Sequence, residues 1–343
     1  MQIDSLKLTN FRSWRRLKLE FDPGLTVIAG PNASGKTNIA EAVAMLATGQ
    51  AFRAERDQEI IAFNTHHVSV EGVVETEGKK IDLRVTLLDR GMKRLALENI
   101  GKRLIDFAGN LQVVVFWPAD LELVIDSPSL RRRFMDQALS LIDRSYRRTL
   151  LEYGKVLTAR NRILDRIREG TAREGELDFW DNKLVDLGGY ITHNREILFL
   201  YLNGLDKNLG PISWTYRPSI IGSEKLEKMR QRDIDAGLTL SGPQRDDFIF
   251  LWDGRDLSLF GSRGEQRIAV LALKLGELEF LADRKGERPV LILDDIFSEL
   301  DDAHRQHVLG VIGLQQTILT TTDIGSIPAE ALKKVKIIRA DRL

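Results

Sequence analysis

The sequence predicts an α/β fold in which a mixed sheet and an antiparallel β meander are split by a mostly helical arm. Three observations carry this reading. LTVIAGPNASGKTNIAEAVAML, from Leu25 to Leu46, passes from a continuous apolar run through a glycine-spaced loop into an amphipathic segment. HVSVEGVVE, KIDLRVTLL and KRLALENI alternate apolar and polar residues between short turns, the pattern of antiparallel strands. From Ser127 onward the apolar period lengthens from two residues to the helical value. The organisation that follows is an N-terminal head part over residues 1–125, a helical arm over 126–236 and a C-terminal head part over 237–343.

Each element has its own cause. RLKLEF sets Leu17, Leu19 and Phe21 on one face of a strand. LTVIAG lacks alternation, as expected of a strand covered on both faces. After Thr37, Ile39, Val43 and Leu46 recur at helical spacing, and Gly49 suits the helix end. LQVVVF reads as a further buried strand. In the arm, Leu130, Phe134, Leu141, Leu150, Leu157, Leu164 and Ile167 fall near one helical face, a second helical tract covers Phe179 to Leu205, and PISWTY is a candidate strand. Beyond Gly237, IFLWDGRDLSLF is a candidate hairpin turning at Asp253-Gly254. GEQRIAVLALKLGELEFLAD is a helix, PVLILDD a buried strand, DDAHRQHVLGVI a helix and QTILTTT another buried strand.

Composition narrows the function. The 343 residues are 43% hydrophobic and 29% charged, ordinary for a globular protein with ample core. With no cysteine, disulfides, thiolate catalysis and Cys-ligated zinc are excluded. No stretch has the length of a signal-peptide core or a membrane span, so a soluble cytoplasmic protein without membrane contact is expected. The net charge is +0, so any contact with nucleic acid must come from a local patch. One such patch lies between Arg131 and Arg168, where eleven basic residues face four acidic ones. Arg144, Arg147, Arg148 and Arg160 within it are the candidate DNA-phosphate contacts.

Gly30, Gly35, Lys36 and Thr37 match G-x-x-x-x-G-K-[ST]. The glycines let the chain wrap a phosphate while backbone N–H groups of Asn32, Ala33, Ser34, Gly35 and Lys36 point inward. Pro31 is counted with them among the nucleotide-binding residues. The following helix adds its positive end, Lys36 a compact charge toward the terminal phosphates, and the Thr37 hydroxyl a ligand for Mg²⁺. This pattern alone implies a nucleoside triphosphate with Mg²⁺; the partner motifs decide the class, and with them the expected cofactors are ATP and Mg²⁺. PVLILDD supplies the other half: Asp294 to hold the cation and Asp295 to orient or deprotonate the attacking water. In LFGSRGEQR, Ser262 and Gly264 open a helix as an anion clamp, and SELD follows at Ser298 to Asp301. The order of P-loop, insertion, serine–glycine signature, acidic strand and SELD resembles the ABC-type ATPase head, whose signature serine reads the nucleotide of a second protomer.

NFRSW at Asn10 to Trp14, the P-loop, FWPADLELV, SPSLRRRFMD, SGPQRDDF, SRGEQR and LILDDIFSELD, which together span nearly the whole chain, resemble motifs of the RecF family, relatives of the SMC proteins, in RecF order. The family usually carries His at the position of Gln244 and Gln at that of Glu265. Thr320 to Thr322 stand where ABC transporters place a switch histidine, which argues against a transporter subunit. The resemblance implies an ATP-dependent homodimer that clamps single-stranded, duplex or gapped DNA. It also implies recombinase loading in DNA repair and replication restart, RecR and RecO as partners, and a place for Arg12 among the nucleotide-binding residues. Asp295 stands where many ABC-type ATPases have the longer Glu, so slow hydrolysis is expected. Another SMC-like or ABC-type ATPase acting on DNA is the alternative.

Overall fold

The computed structural model describes residues 1–343 apart from Glu55, Arg90, Lys207, Asn208, Glu299, Leu300, Asp301, Ala329, Glu330, Ala331, Lys333 and Lys334. The chain divides into two compact units, Met1–Asp120 with Leu271–Leu343, and Leu121–Val270.

The first unit holds a five-stranded parallel sheet in the order Lys336–Arg339, Leu25–Ala29, Thr317–Thr321, Val290–Asp294, Val113–Phe116. The continuous apolar runs form the inner strands and are buried throughout. Register pairs Thr321 with Ala29 and Asp294 with Thr320, so the carboxyl ends of three neighbouring strands meet at one edge. In open α/β sheets that edge is where ligands bind. The helix Lys36–Thr48 packs there with Ile39, Val43 and Leu46 fully buried. Its alanines let it sink further than a one-sided stripe would, and Gly49, at φ 69°, ends it with an N–H bond to the Met45 carbonyl.

The same unit carries a six-stranded antiparallel sheet in the order Trp14–Glu20, Gln2–Phe11, His67–Thr76, Lys79–Leu88, Lys93–Leu97, Ile100–Lys102. KRLALENI, read from sequence as one strand, is broken after Leu97. Glu98 and Asn99 both take positive φ, 52° and 60°, and turn the chain back on itself.

The second unit comprises the helices Pro128–Ile142, Arg144–Arg168, Asp178–Gly204 and Ser223–Ala236, with a three-stranded antiparallel sheet ordered Arg255–Asp256, Asp247–Trp252, Ile212–Arg217. The helical tract restarts at Asp143, whose side chain accepts from the Ser145 N–H as an N-cap. The buried face of Arg144–Arg168 runs through Tyr146, Tyr153, Val156, Arg160 and Leu164, not through Leu150 and Leu157 as the apolar spacing suggests. The hairpin forms at Asp253-Gly254, with φ of 48° and 75°. Its second strand is only two residues long, because Asp256 accepts from the Ser258 N–H and caps a short helix, Leu257–Phe260. The unit begins at Leu121 and runs on to Val270, where the sequence places the arm at 126–236. Ile212–Arg217 pairs with Asp247–Trp252, and that pairing carries residues beyond Ala236 into this unit. Among the described residues no helix is long and apolar enough to cross a membrane.

Candidate functional site

In the first unit the buried strand Leu25–Ala29 delivers its chain into the loop Gly30–Gly35 and then the helix starting at Lys36. The loop's shape needs its glycines. A Cβ on Gly30 would lie 2.8 Å from Ser34 Oγ. Gly35 has φ +89°, and a Cβ there would lie 2.7 Å from Trp14 Nε1. Trp14 Nε1 in turn donates to the Gly35 carbonyl at 3.1 Å, and Asn38 Nδ2 to Ser13 Oγ at 2.9 Å, which ties the NFRSW turn to the loop. Ala33 also adopts positive φ, 64°, and Asn32 beside it is exposed. Ser34 Oγ is buried without a hydrogen-bond partner among the described residues, an orphaned polar atom in the loop that the sequence assigns to a phosphate.

Lys36 is buried, and its Nζ donates only to the carbonyls of Gly30, at 2.8 Å, and Pro31, at 2.9 Å. Among the described residues no carboxylate pairs with it. The Thr37 hydroxyl lies 3.0 Å from both oxygens of Asp294, and the Thr320 hydroxyl donates to Asp294 Oδ1 at 2.6 Å. Burial pushes the Asp294 carboxyl above its ordinary value. Hydrogen bonds from Thr320 and Thr37, and the charge of Arg53, act the other way. Asp295, at φ 53°, is anchored by its N–H to the carbonyl and hydroxyl of Thr320, both at 3.1 Å. A threonine hydroxyl and a carboxylate are the hard oxygen donors that suit Mg²⁺. Among the described residues no cluster of three or more His, Asp or Glu could hold a metal alone. A cation here would share these donors with phosphate oxygens, as Mg²⁺ commonly does.

Arg12, also at positive φ (52°), reaches the phosphate-loop helix through Glu41. Its Nε and Nη2 donate to the two Glu41 oxygens at 2.9 and 2.7 Å, and Nη1 to the Glu59 carbonyl at 3.3 Å. Glu41 is fully buried and is not among the sequence candidates. Its signal is present in NIAEAVAML, as a lone carboxylate inside an otherwise apolar helix. Thr320 reads in sequence only as the residue in place of a histidine; its bond to Asp294 depends on a strand register that local sequence does not reveal.

In the second unit Ser262 opens the helix Arg263–Lys285, which runs past Val270 into the first unit. Its N–H and hydroxyl donate to Glu265 Oε2 at 2.7 and 2.8 Å, and the Glu265 N–H returns to Ser262 Oγ at 3.3 Å, a reciprocal capping box. Those bonds from Ser262 hold the Glu265 carboxyl below its ordinary range. Gly264 is exposed, and a Cβ on it would meet nothing nearer than Ser262 Oγ at 4.0 Å, so the helix start is open. SELD, apart from Ser298, lies outside the described residues.

The basic candidates separate. Arg144 and Arg148 are exposed, and Arg147 is half-buried with Nη1 donating to the Ser140 carbonyl. Arg160 is a correction: it is fully buried, bonding Asp181 at 2.6 Å and Asp233 and Thr239 at 2.8 Å each, so it offers nothing to DNA. Its helical neighbours make it look like part of a solvated stripe. SPSLRRRF and SGPQRDDF meet within this unit. Arg131 holds Asp247 at 2.6 and 3.1 Å, Arg132 donates to the Asp246 carbonyl at 3.0 Å, and Tyr153 donates to Gln244.

Residues 2–337 match the model of the RecF/RecN/SMC N terminal domain. A DNA replication and repair protein RecF from Moorella thermoacetica is 38% identical, over 97% of this chain and 93% of its own length. The chain belongs to the RecF family. The RecF of Oceanobacillus iheyensis is 34% identical over 99% of this chain and 98% of its own. Among solved structures, the recombination mediator protein RecF-ATP of the RecFOR pathway aligns with TM-score 0.88 at 31% identity, over 95% of this chain and 93% of that one. An Smc head bound to the C-winged helix domain of ScpA aligns with TM-score 0.53 at 16% identity, over 95% and 90% of the two chains, a likeness of fold alone. The RecF and Smc-head likenesses accord with the ABC-type head expected from the order of motifs.

Proposed function

We propose that this RecF-family chain is an ATP-gated DNA clamp of recombinational repair and replication restart. The observation that carries the reading is the Thr37–Asp294–Thr320 cluster beside an ammonium, Lys36, that among the described residues bonds only to backbone carbonyls. The name RecF-ATP of a solved relative supports ATP as the nucleotide. Bound Mg²⁺–ATP supplies an electrophilic γ-phosphoryl group whose transfer to water releases energy. With it bound, Lys36 would turn from the Gly30 and Pro31 carbonyls to phosphate oxygens, Thr37 and Asp294 would hold the cation, and the Asp295 carboxylate would accept the proton of the attacking water. Ser262 and the open helix start at Gly264 serve a second copy's nucleotide, so ATP drives homodimerisation. Asp295 reaches less far than Glu would, so hydrolysis is slow and acts as a release timer. RecR and RecO act with this clamp in loading recombinase at gaps.

DNA dissociation after ATP loading tests this. Asp295→Asn should retain ATP binding yet stay trapped on duplex, single-stranded or gapped DNA far longer than wild type. Equal off-rates for the two would remove hydrolysis from control of release.

A further inference from the structure

NFRSW resembles a family motif, yet the chemistry proposed for ATP leaves its second aromatic residue without a role. Trp14 is buried against the phosphate loop. Its Nε1 donates to the Gly35 carbonyl at 3.1 Å, and the indole lies so close to Gly35 Cα that a Cβ there would meet Nε1 at 2.7 Å and Cε2 at 2.8 Å. The turn is shaped for this approach. Phe11 pairs with Trp14, and Arg12 between them takes φ 52°, which helps the chain reverse over two residues. Ser13, the other turn residue, accepts from Asn38 Nδ2 at 2.9 Å, in the first turn of the helix Lys36–Thr48. The Gly35 carbonyl also accepts the N–H groups of Asn38 and Ile39, at 3.1 and 3.2 Å, so the indole holds the carbonyl with which that helix begins. This carbonyl belongs to the Gly35–Lys36 peptide. A trans peptide is planar and its N–H points opposite to its C=O, so a grip on the Gly35 oxygen also aims the Lys36 N–H. That N–H leaves the amino end of the helix without an intrahelical partner, where an anion can take it.

We propose that Trp14 is a positioning residue for the nucleotide: its indole N–H holds the Gly35–Lys36 peptide in the orientation that receives a phosphate, so the loop is set before the nucleotide arrives. This rests on the reading of Gly30–Thr37 as a nucleotide loop. The need for an outside grip lies in Gly35, whose φ of +89° is a conformation that a glycine enters and leaves at little cost. The indole N–H is a donor only, so it favours the peptide that turns its carbonyl toward Trp14 and offers nothing to the flipped one. A loop fixed in its bound shape spends less of its binding energy on ordering. The phosphates that the backbone N–H groups wrap are common to a diphosphate and a triphosphate, so Trp14 raises the affinity for both by the same factor.

The test is calorimetric titration of the full chain with Mg²⁺ and either ADP or a slowly hydrolysed ATP analogue, with indole NMR as a second readout. W14F keeps an aromatic ring and removes the donor. It should lose about fivefold in affinity for each nucleotide, the scale of one neutral hydrogen bond, with the ratio between them unchanged. W14H, which restores a ring N–H, should recover part of the loss. With the five tryptophans of the wild type isotope-labelled, the indole N–H resonance that is missing from W14F should shift on adding either nucleotide. Wild-type affinities in W14F overturn the assignment, whatever its unfolding midpoint, because they leave Trp14 a packing role alone. A loss confined to the triphosphate overturns it too. Should neither variant fold, wild-type indole resonances that all ignore both nucleotides overturn it, and one that shifts equally with both supports it. K36A separates the two levels. If wild type binds neither nucleotide, the nucleotide reading itself fails. If wild type binds both, K36A binds neither and W14F matches wild type, only Trp14 loses its role.

Discussion

In the arm unit two fully buried arginines each meet two carboxylates: Arg160 those of Asp181 and Asp233, Arg195 those of Asp136 and Asp246. In the phosphate-loop unit Lys36, also withdrawn from solvent, meets among the described residues only carbonyls, and Asp294 only hydroxyls. Desolvating a charge costs several kcal/mol unless a partner offsets it. Charges neutralised within the fold therefore mark its frame, and charges left to dipoles mark where a ligand completes the site.

The largest effect that could break this contrast is in the arm. Arg195→Ala strands Asp136 and Asp246, and should cost about 3–5 kcal/mol in denaturant unfolding while leaving ATP affinity alone. A loss below about 1 kcal/mol would mean that the network is not a frame. Next is Lys36→Ala, which should weaken Mg²⁺–ATP binding at least about a hundredfold, or ~2.7 kcal/mol. Its unfolding midpoint should hold or rise, because an unpaired buried ammonium is removed. A midpoint that falls steeply would place Lys36 with the frame.

The pH dependence sharpens the same point. The cation role proposed for Asp294 requires its ionised form, and its carboxyl is raised by burial. Mg²⁺–ATP affinity should therefore be full above the raised value and fall as pH drops through it, beginning at higher pH than an ordinary carboxylate would. The sign for stability is opposite. A folded value above the unfolded one means that this group's contribution is present at low pH and lost as pH rises through the folded value. Asp294→Asn should abolish both trends in a pH series of affinities and unfolding curves. The smallest effect belongs to the surface. Arg144→Ala with Arg148→Ala should flatten the salt dependence of duplex binding by up to about 0.9 in slope for each phosphate no longer neutralised. An unchanged slope would move the DNA surface elsewhere.

Local pattern makes much of the first unit legible. The P-loop, the buried strands and the acidic strand end announce themselves because each is contiguous in sequence and both faces of its sheet are covered. Glu41 and Thr320 do not stand out, since their partners lie 29 and 26 residues away. The arm misleads in a different way. Leu150 and Leu157 suggest the buried face, yet Asp143 caps a new helix and turns Tyr146, Tyr153 and Arg160 inward. A buried arginine paired with carboxylates on two other segments has the same local sequence as one that faces solvent.

In the proposed mechanism ATP, held by Lys36 and read by Ser262 of a second copy, pairs two chains. Sedimentation velocity of the full chain with Mg²⁺ and ATP, with ADP, and without nucleotide tests it most directly. The mass should double with ATP alone, and Lys36→Ala should stay monomeric throughout. A wild type that remains monomeric with ATP, or a dimer indifferent to nucleotide, would contradict it.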